Sequence, residues 1–208
     1  MSKLRTIYNR LLRRHDAQSQ PPIINRAVYS SSEYSYCGGA LADMNVLIVS
    51  NDKNIASAFK TQLDKECCYW KEVSYDNELT IADLQKAENE MVGYCDCIVN
   101  VIKVISNEDP VKQVYQWFQV ESPFLSVNDR QATISTILIA ETGDEAETYR
   151  SAYTHLVSSI SHLINNHNIV VNAVLAKPSA KIEDVSSTAA FLSSKYGEAL
   201  TGETIILG

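Results

Sequence analysis

From residue 45 onward, short apolar runs rich in β-branched residues alternate with amphipathic segments, and this alternation limits the chain to one class of fold. Near-continuous apolar runs predict strands buried on both faces, and apolar residues at helical spacing, such as Ile55, Phe59 and Leu63, predict helices. The predicted strands are 45–49, 67–74, 95–101, 133–140, 169–174 and 203–207, and the predicted helices are 55–63, 79–91, 109–120, 146–165 and 185–196. This order predicts an α/β fold, a doubly wound parallel sheet with helices on both faces.

The composition is that of a folded globular protein. The 208 residues are 45% hydrophobic and 21% charged, and no run approaches the roughly 18 apolar residues that a membrane span requires. The net charge of −7 argues against a general nucleic-acid binder, so we expect no nucleic-acid partner.

The charge is distributed unevenly along the chain. Residues 1–40 hold six basic and two acidic side chains, a net of +4, which leaves −11 for the rest of the −7 total. Within this basic part, apolar residues at helical spacing predict an amphipathic helix over 1–14; they include Leu4, Ile7, Tyr8 and Leu11. A Pro/Ser/Tyr-rich stretch follows. We therefore divide the chain into an arm, 1–44, and a domain, 45–208.

The five cysteines indicate a reducing compartment. Their number is odd, and no apolar secretory segment precedes them, which favours a cytoplasmic protein over a disulfide scaffold. Cys95 and Cys97 flank the start of an apolar run, which predicts core packing. No second Cys/His pair has the spacing of a zinc site, so we expect no metal.

Several short motifs in this domain occur in a specific order. They are Cys95–Asn100 (CDCIVN), Ser151-Ala152-Tyr153, Ile169–Val174 (IVVNAV), Ile182–Val185 followed by Ala190–Ser194, and Thr201–Gly208 (TGETIILG). Together they resemble the short-chain dehydrogenase/reductase family over about 160 residues. The resemblance implies a Rossmann-type three-layer α/β/α sandwich with a parallel sheet of about seven strands.

The cofactor motifs of that family are degenerate here. The family's first βα turn is TGxxxGxG, whose glycines let a pyrophosphate approach the backbone at a helix N-terminus. The corresponding turn has no glycine and includes Ser50, Asn51, Asp52 and Asn54. The family's NAG motif is replaced by Asn100-Val101-Ile102. We therefore expect no cofactor, with NAD(P) as the alternative.

The catalytic motif is also incomplete. The family pairs a Tyr with a Lys four residues later, and the Lys lowers the Tyr pKa. Here Tyr153 is followed by Val157, and an unassisted Tyr is a poor base at neutral pH. Of the residues near the position of the family's Ser, only Thr142 has a hydroxyl to substitute. Tyr153 and Thr142 are thus residual candidates, and we assign no catalytic residue.

The resemblance implies that the surfaces that join subunits in the family are retained in this chain, although the chemistry is not. Family members pair through their fourth and fifth helices, here about 109–120 and 149–165. The predicted partner-binding residues of these helices are Tyr115, Phe118, Tyr153 and Leu156. This favours a non-catalytic subunit that pairs with an active short-chain reductase or with itself; the alternative is an atypical NAD(P)-dependent oxidoreductase that uses Tyr153.

The basic arm suggests a third function. Its apolar stripe and cationic flank suit an acidic partner, a carrier protein or an anionic membrane surface. The same pattern is similar to a mitochondrial presequence, which leaves peripheral-membrane and mitochondrial locations open beside the cytoplasmic one.

Overall fold

The computed structural model describes residues 39–105, 109–127, 130–164 and 168–208. The predictions for residues 1–38, including the helix with Leu4, Ile7, Tyr8 and Leu11, lie outside this part. The strands are β1 (Asn45–Ser50), β2 (Tyr69–Glu72), β3 (Cys97–Lys103), β4 (Ala132–Ile139), β5 (Ile169–Ala176) and β6 (Thr204–Leu207). The helices are α1 (Lys53–Lys65), α2 (Ile81–Glu88), α3 (Pro110–Ser126), α4 (Gly143–Ile164) and α5 (Ile182–Ser193), followed by a 3₁₀ turn, Gly197–Leu200.

The six strands form one parallel sheet in the order β2-β1-β3-β4-β5-β6. The predicted doubly wound parallel sheet is therefore confirmed. The chain starts at β1, adds β2 on one side, and then crosses over to build β3 to β6 on the other side. Strands β1 and β3 are the neighbours at which the winding reverses its direction.

The strand count corrects one expectation. Six strands are seen in the described residues, rather than about seven, and only β2 lies beyond β1, where the classic doubly wound order has two strands. The segment between α1 and β3 is the reason, because it accommodates only one strand and the short helix α2. The apolar pattern itself indicated six strands; the seventh came from the family resemblance.

The helices cover both faces of the sheet, which gives three layers. One core cluster packs α2, α3 and α4 against the sheet through side chains such as Leu84, Trp117 and Val157. The second packs α1 and α5 against the opposite face through Phe59, Val185 and others. Alternate residues of each strand supply the two clusters, as the pleat requires.

Helix α3 is longer than predicted because it continues past Pro123 to Ser126. A proline inside a helix has no N–H for the hydrogen bond to the preceding turn, so the backbone alone does not favour this continuation. The last turn is instead held by Phe124 and Leu125, which are 6% and 3% exposed. Tertiary burial therefore overrides the local signal.

The cysteines behave as core and surface thiols. Cys95 and Cys97 are buried, as predicted, and burial raises the pKa of Cys97 to about 12. All four cysteines of the described residues are free thiols. Among the helices that the structure describes, none is both long and apolar enough to cross a membrane.

Candidate functional site

The topology places the candidate site at the carboxyl ends of β1 and β3. Ligands of doubly wound folds bind in the crevice outside the strand ends where the winding reverses. The turn after β1 holds Ser50, Asn51 and Asp52, and β3 ends at Lys103. Three of the four residues predicted for a degenerate cofactor turn thus lie at the expected position, and Asn54 follows them in the first turn of α1.

Asp52 is the N-cap of α1. Its Oδ1 accepts hydrogen bonds from the backbone N–H groups of Asn54 at 2.8 Å and Ile55 at 3.3 Å. The Ser50 hydroxyl donates to the Asp52 carbonyl at 2.9 Å and accepts from its N–H at 3.1 Å. Side chains of the turn between β1 and α1 therefore satisfy backbone N–H groups at the start of α1.

Asn51 ties the ends of the two strands together. Its Nδ2 donates to the carbonyl of Lys103 at 2.9 Å and to Gln113 Oε1 at 3.3 Å. Its Oδ1 accepts from the Lys103 N–H at 2.8 Å. The Asn51 side chain thus extends the hydrogen bonding between β1 and β3 past the end of β1 and links it to α3.

Lys103 forms an ion cluster across the strand ends. Its Nζ lies 2.7 Å from Glu141 Oε1, after β4, and 3.8 Å from Asp52 Oδ2. The Glu141 carboxylate, with a smaller contribution from Asp52, raises the pKa of Lys103. The sequence analysis missed Lys103 and gave Glu141 no role. Their positions could have indicated a site, because Lys103 ends one buried strand and Glu141 lies shortly after another.

The turn after β1 lacks the features that a bound dinucleotide requires. A pyrophosphate at a helix N-terminus requires free N–H groups and room beside the backbone. Here the N–H groups of Asn54 and Ile55 donate to Asp52, whose charge also repels an anion. In this arrangement the turn does not fit a pyrophosphate bound as in a glycine-rich loop.

Asn100 does not lie at the crevice, contrary to its interpretation as a remnant of the NAG motif. Strand β3 continues to Lys103, which leaves Asn100 in the middle of the sheet and 1% exposed. Its Nδ2 donates to Glu121 Oε2 of α3 at 2.9 Å. The extra residues of β3 move the matching motif away from the strand end.

Tyr153 is a core residue. It lies in the middle of α4, is 0% exposed, and donates its hydroxyl to the carbonyl of Thr136 at 2.7 Å. Burial raises its pKa well above the ordinary value. Val157, at the position of the family's Lys, is also buried. Tyr153 therefore reaches neither the crevice nor a partner surface in this structure.

Thr142 forms part of the N-terminal cap of α4. Its hydroxyl accepts from the N–H of Glu145 at 3.2 Å, while Glu145 Oε2 accepts from the N–H groups of Glu141 at 2.9 Å and Thr142 at 3.1 Å. Such reciprocal capping stabilises a helix start without a catalytic role.

An open depression of about 480 Å³ lies at the ends of β4 and β5. Its lining includes Ile139, Glu141, Lys177, Pro178 and Ile182. The ammonium of Lys177 is paired with Glu147, whose Oε1 lies 2.9 Å from its Nζ. Most of its lining residues are apolar, with Glu141 and Lys177 as the charged ones, and none is a serine, threonine or cysteine.

The predicted partner-binding residues are divided between surface and core. Tyr115 is 46% exposed on α3 and accepts a hydrogen bond from Gln119 Nε2, and Leu156 is half-buried on α4. Phe118 and Tyr153 pack into the core instead, 8% and 0% exposed. Helical periodicity groups residues on a face, but it does not identify which face the sheet covers.

No protein-family model and no curated protein matches the chain. Solved structures do match. An enoyl-[acyl-carrier-protein] reductase (NADH) from Aquifex aeolicus VF5 is 20% identical, with a TM-score of 0.61 over 81% of this chain and 96% of that chain. A short-chain dehydrogenase from Mycobacterium smegmatis is 14% identical, with a TM-score of 0.64 over 85% and 97%. An oxidoreductase of the short-chain dehydrogenase/reductase family from Brucella ovis, in complex with a partially ordered NAD, is 13% identical, with a TM-score of 0.52 over 80% and 100%.

These similarities correct the prediction that no cofactor is involved. The Aquifex aeolicus protein is described as an NADH enzyme, and the Brucella ovis protein holds NAD. The prediction was based on the glycine-free turn, the charge of Asp52 within it and the altered NAG motif. The neighbours therefore point to NAD(P) rather than to none.

Identities of 20%, 14% and 13% establish a shared architecture and nothing finer. The parallel sheet, its flanking helices and the order of the elements all agree with the fold that the sequence motifs suggested. The chain has the fold of the short-chain dehydrogenases/reductases.

Proposed function

We propose that this chain is a non-catalytic subunit that pairs with an active short-chain reductase, or with an assembly containing one, as a structural or regulatory partner. The observation that carries the proposal is the burial of Tyr153. Its hydroxyl is bonded to the Thr136 carbonyl at 2.7 Å, with Val157 where the family has its Lys.

Proton transfer by this tyrosine is strongly disfavoured. An unperturbed Tyr has a pKa of about 10, and burial raises the pKa of Tyr153 further. The tyrosinate would be buried without the Lys ammonium that stabilises it in the family. Thr142, the other residual candidate, is already used in capping α4. Neither residue is arranged to exchange a proton with a substrate.

The outer face of α4 supports the pairing. Exposed residues recur at alternating spacings of four and three along it, the spacing of a helix that packs against another helix; they are Thr148, Ala152, His155, Ser159 and His162. Small side chains at Thr148, Ala152 and Ser159 allow a second helix to approach closely. Tyr115 on α3 adds an exposed aromatic residue of the kind enriched at interface hot spots.

Co-purification tests the pairing. The chain is co-expressed with intact short-chain reductases from its own source, and complexes are detected by size-exclusion chromatography with light scattering. We expect Ala152→Arg on α4 to abolish co-elution, because the long charged side chain prevents close helix packing. The matched control is Ala82→Arg, at an exposed position of α2.

The proposal fails if the chain remains a monomer, or a self-assembly, in the presence of every such reductase. It also fails if Ala152→Arg and Ala82→Arg co-elute equally well with the reductase. A complex that contains the reductase and is lost only in Ala152→Arg supports it.

The second candidate function is an atypical NAD(P)-dependent oxidoreductase. It is favoured by the neighbours, one described as an NADH enzyme and one holding NAD. Titration calorimetry with NADH and NADPH, together with a turnover assay on carbonyl substrates, tests this role. Turnover that falls at least about 100-fold in Tyr153→Phe, the size of a lost general acid or base, would favour this role over the first.

A further inference from the structure

Glu121 is a carboxyl group buried in the core, and no cation of the described residues pairs with it. It projects from α3 toward the sheet and is 0% exposed. Its Oε2 accepts a hydrogen bond of 2.9 Å from Asn100 Nδ2, which lies in the middle of β3. Asn100 is itself 1% exposed, and its Nδ2 also lies 3.5 Å from Thr136 Oγ1.

Two oxygens of this pair lack a donor. Within the part of the chain that the structure describes, neither Glu121 Oε1 nor Asn100 Oδ1 has a hydrogen-bond partner. Buried acceptors without donors are rare and destabilising, and an unpaired buried carboxylate is more so. A proton on Glu121 removes the charge and also supplies one missing donor.

We propose that Glu121 is held as a neutral carboxylic acid that donates its proton to Asn100 Oδ1, and that this acid–amide pair is a pH-sensitive tie between α3 and β3. The acid O–H donates to the amide oxygen, and the amide N–H donates to the other carboxyl oxygen. Loss of the proton removes the first bond and leaves a buried charge, which loosens α3 from the sheet.

The surroundings favour the neutral form. Among the described residues, the thiol of Cys97 on β3 interacts with Glu121, and α4 contributes the phenols of Tyr149 and Tyr153 to the same core cluster. Strands β4 and β5 carry no titratable side chains, and Glu88 of α2 accepts from the Cys95 N–H. None of these groups is a cation, and burial raises the pKa of Glu121 to about 8, partly offset by the Asn100 hydrogen bond.

Helix α3 is suited to respond to this change. Pro123 lies two residues beyond Glu121 and has no N–H for the backbone ladder, so the last turn depends on its side-chain anchors. Those anchors are Glu121, Phe124 and Leu125, all buried. Weakening one of them loosens the turn that the backbone secures least.

The pH dependence has a definite sign. The pKa of Glu121 rises from 4.5 for the free side chain to about 8 in the folded protein, so the folded state retains a proton that the unfolded state has lost. The stabilisation is complete below about pH 4.5, declines as the pH rises toward 8, and is lost above it.

Urea unfolding of the isolated chain between pH 5 and 9 tests this inference. Relative to Glu121→Gln, the wild-type unfolding constant is expected to rise by up to about tenfold per pH unit up to about pH 8 and then level off. A glutamine at this position can form both hydrogen bonds with Asn100, but it has no ionisable proton. The control Glu78→Gln, at an exposed position, is expected to keep the wild-type profile.

A second measurement does not depend on any variant. In ¹³C-labelled wild-type protein, one Glu side-chain carboxyl signal is expected to keep the chemical shift of the acid at pH 6, where exposed glutamates are ionised. The inference is overturned if every Glu signal titrates below pH 6, or if wild type and Glu121→Gln unfold with the same pH dependence. Both experiments use the chain without a partner, so neither result depends on the proposed pairing.

Discussion

At the scale of single residues, environment decides what each side chain can do. Tyr153 stands where the resemblance expects a catalytic phenol, but its hydroxyl is buried and bonded to the Thr136 carbonyl. Asn100 matches a cofactor motif in sequence, yet it pairs with Glu121 beneath α3. The sequence motifs alone make both residues resemble the family's; their surroundings give them structural roles.

Replacing Tyr153 with Phe tests that structural role. Removal of the hydroxyl deletes one buried hydrogen bond while the ring packing remains, so we expect a loss of about 0.5–1.5 kcal/mol of unfolding free energy. Urea denaturation measures it. Unchanged stability together with a lost enzymatic turnover would contradict the structural interpretation and favour the oxidoreductase.

At the scale of elements, the strand ends are closed by reciprocal contacts. Asn51 joins β1, β3 and α3, and Lys103 joins the ends of β1, β3 and β4 through Asp52 and Glu141. Farther along the sheet, Asn172 of β5 donates hydrogen bonds to the carbonyls of Leu192 and Gly197, and these bonds hold the 3₁₀ turn against the end of α5. Polar side chains thus connect elements that the backbone alone does not join.

The 3₁₀ turn provides a test at this scale. A Cβ at Gly197 would clash with the backbone carbonyl of Leu192, which cannot move freely because it ends α5. We expect Gly197→Ala to cost at least about 2 kcal/mol of unfolding free energy, within the range of overpacked sites.

The matched control is Gly143→Ala in the first turn of α4. No atom lies within 4 Å of its added Cβ, so this variant is expected to be neutral or stabilised by up to about 1 kcal/mol. Equal effects of the two substitutions in thermal or urea unfolding would contradict the close packing at Gly197.

At the scale of the whole molecule, the charge remains divided between residues 1–40, with a net of +4, and the remaining residues, with −11. The proposed pairing uses α3 and α4 of the domain, and it assigns no role to the arm. A basic segment with an apolar stripe suits an anionic surface, either an acidic protein or a lipid headgroup layer. The arm therefore remains the basis of the membrane and carrier-protein hypotheses.

Vesicle co-sedimentation separates those hypotheses. If the arm binds lipid, the full chain is expected to sediment with phosphatidylserine-containing vesicles and not with phosphatidylcholine vesicles, and to dissociate at about 1 M salt, where screening is strong. Deletion of residues 1–14 is expected to abolish binding. Equal sedimentation of the full and shortened chains would contradict the membrane role, and no sedimentation of either would leave the acidic partner.

The fold was largely predictable because its signal is local. Apolar strands and amphipathic helices are visible in the order of residues, and every strand and helix predicted within the described residues is present, with shifts at the ends. The end of α3 was placed too early because the apolar spacing was followed only to residue 120, whereas the burial of Phe124 and Leu125 depends on contacts that are not local. The strand count followed the apolar runs and not the family resemblance.

The sequence by itself determined the class of fold, the glycine-free turn after β1 and the loss of the Tyr–Lys pair, because each is a property of neighbouring residues. Only the tertiary structure decided that Asp52 occupies the helix N–H groups, that Lys103 joins three strand ends, and that Tyr153 and Glu121 are buried. These facts depend on contacts between residues distant in the chain. Burial and the distance to neighbouring groups set the pKa of a side chain and decide which groups it can contact. The order of residues encodes neither of these directly.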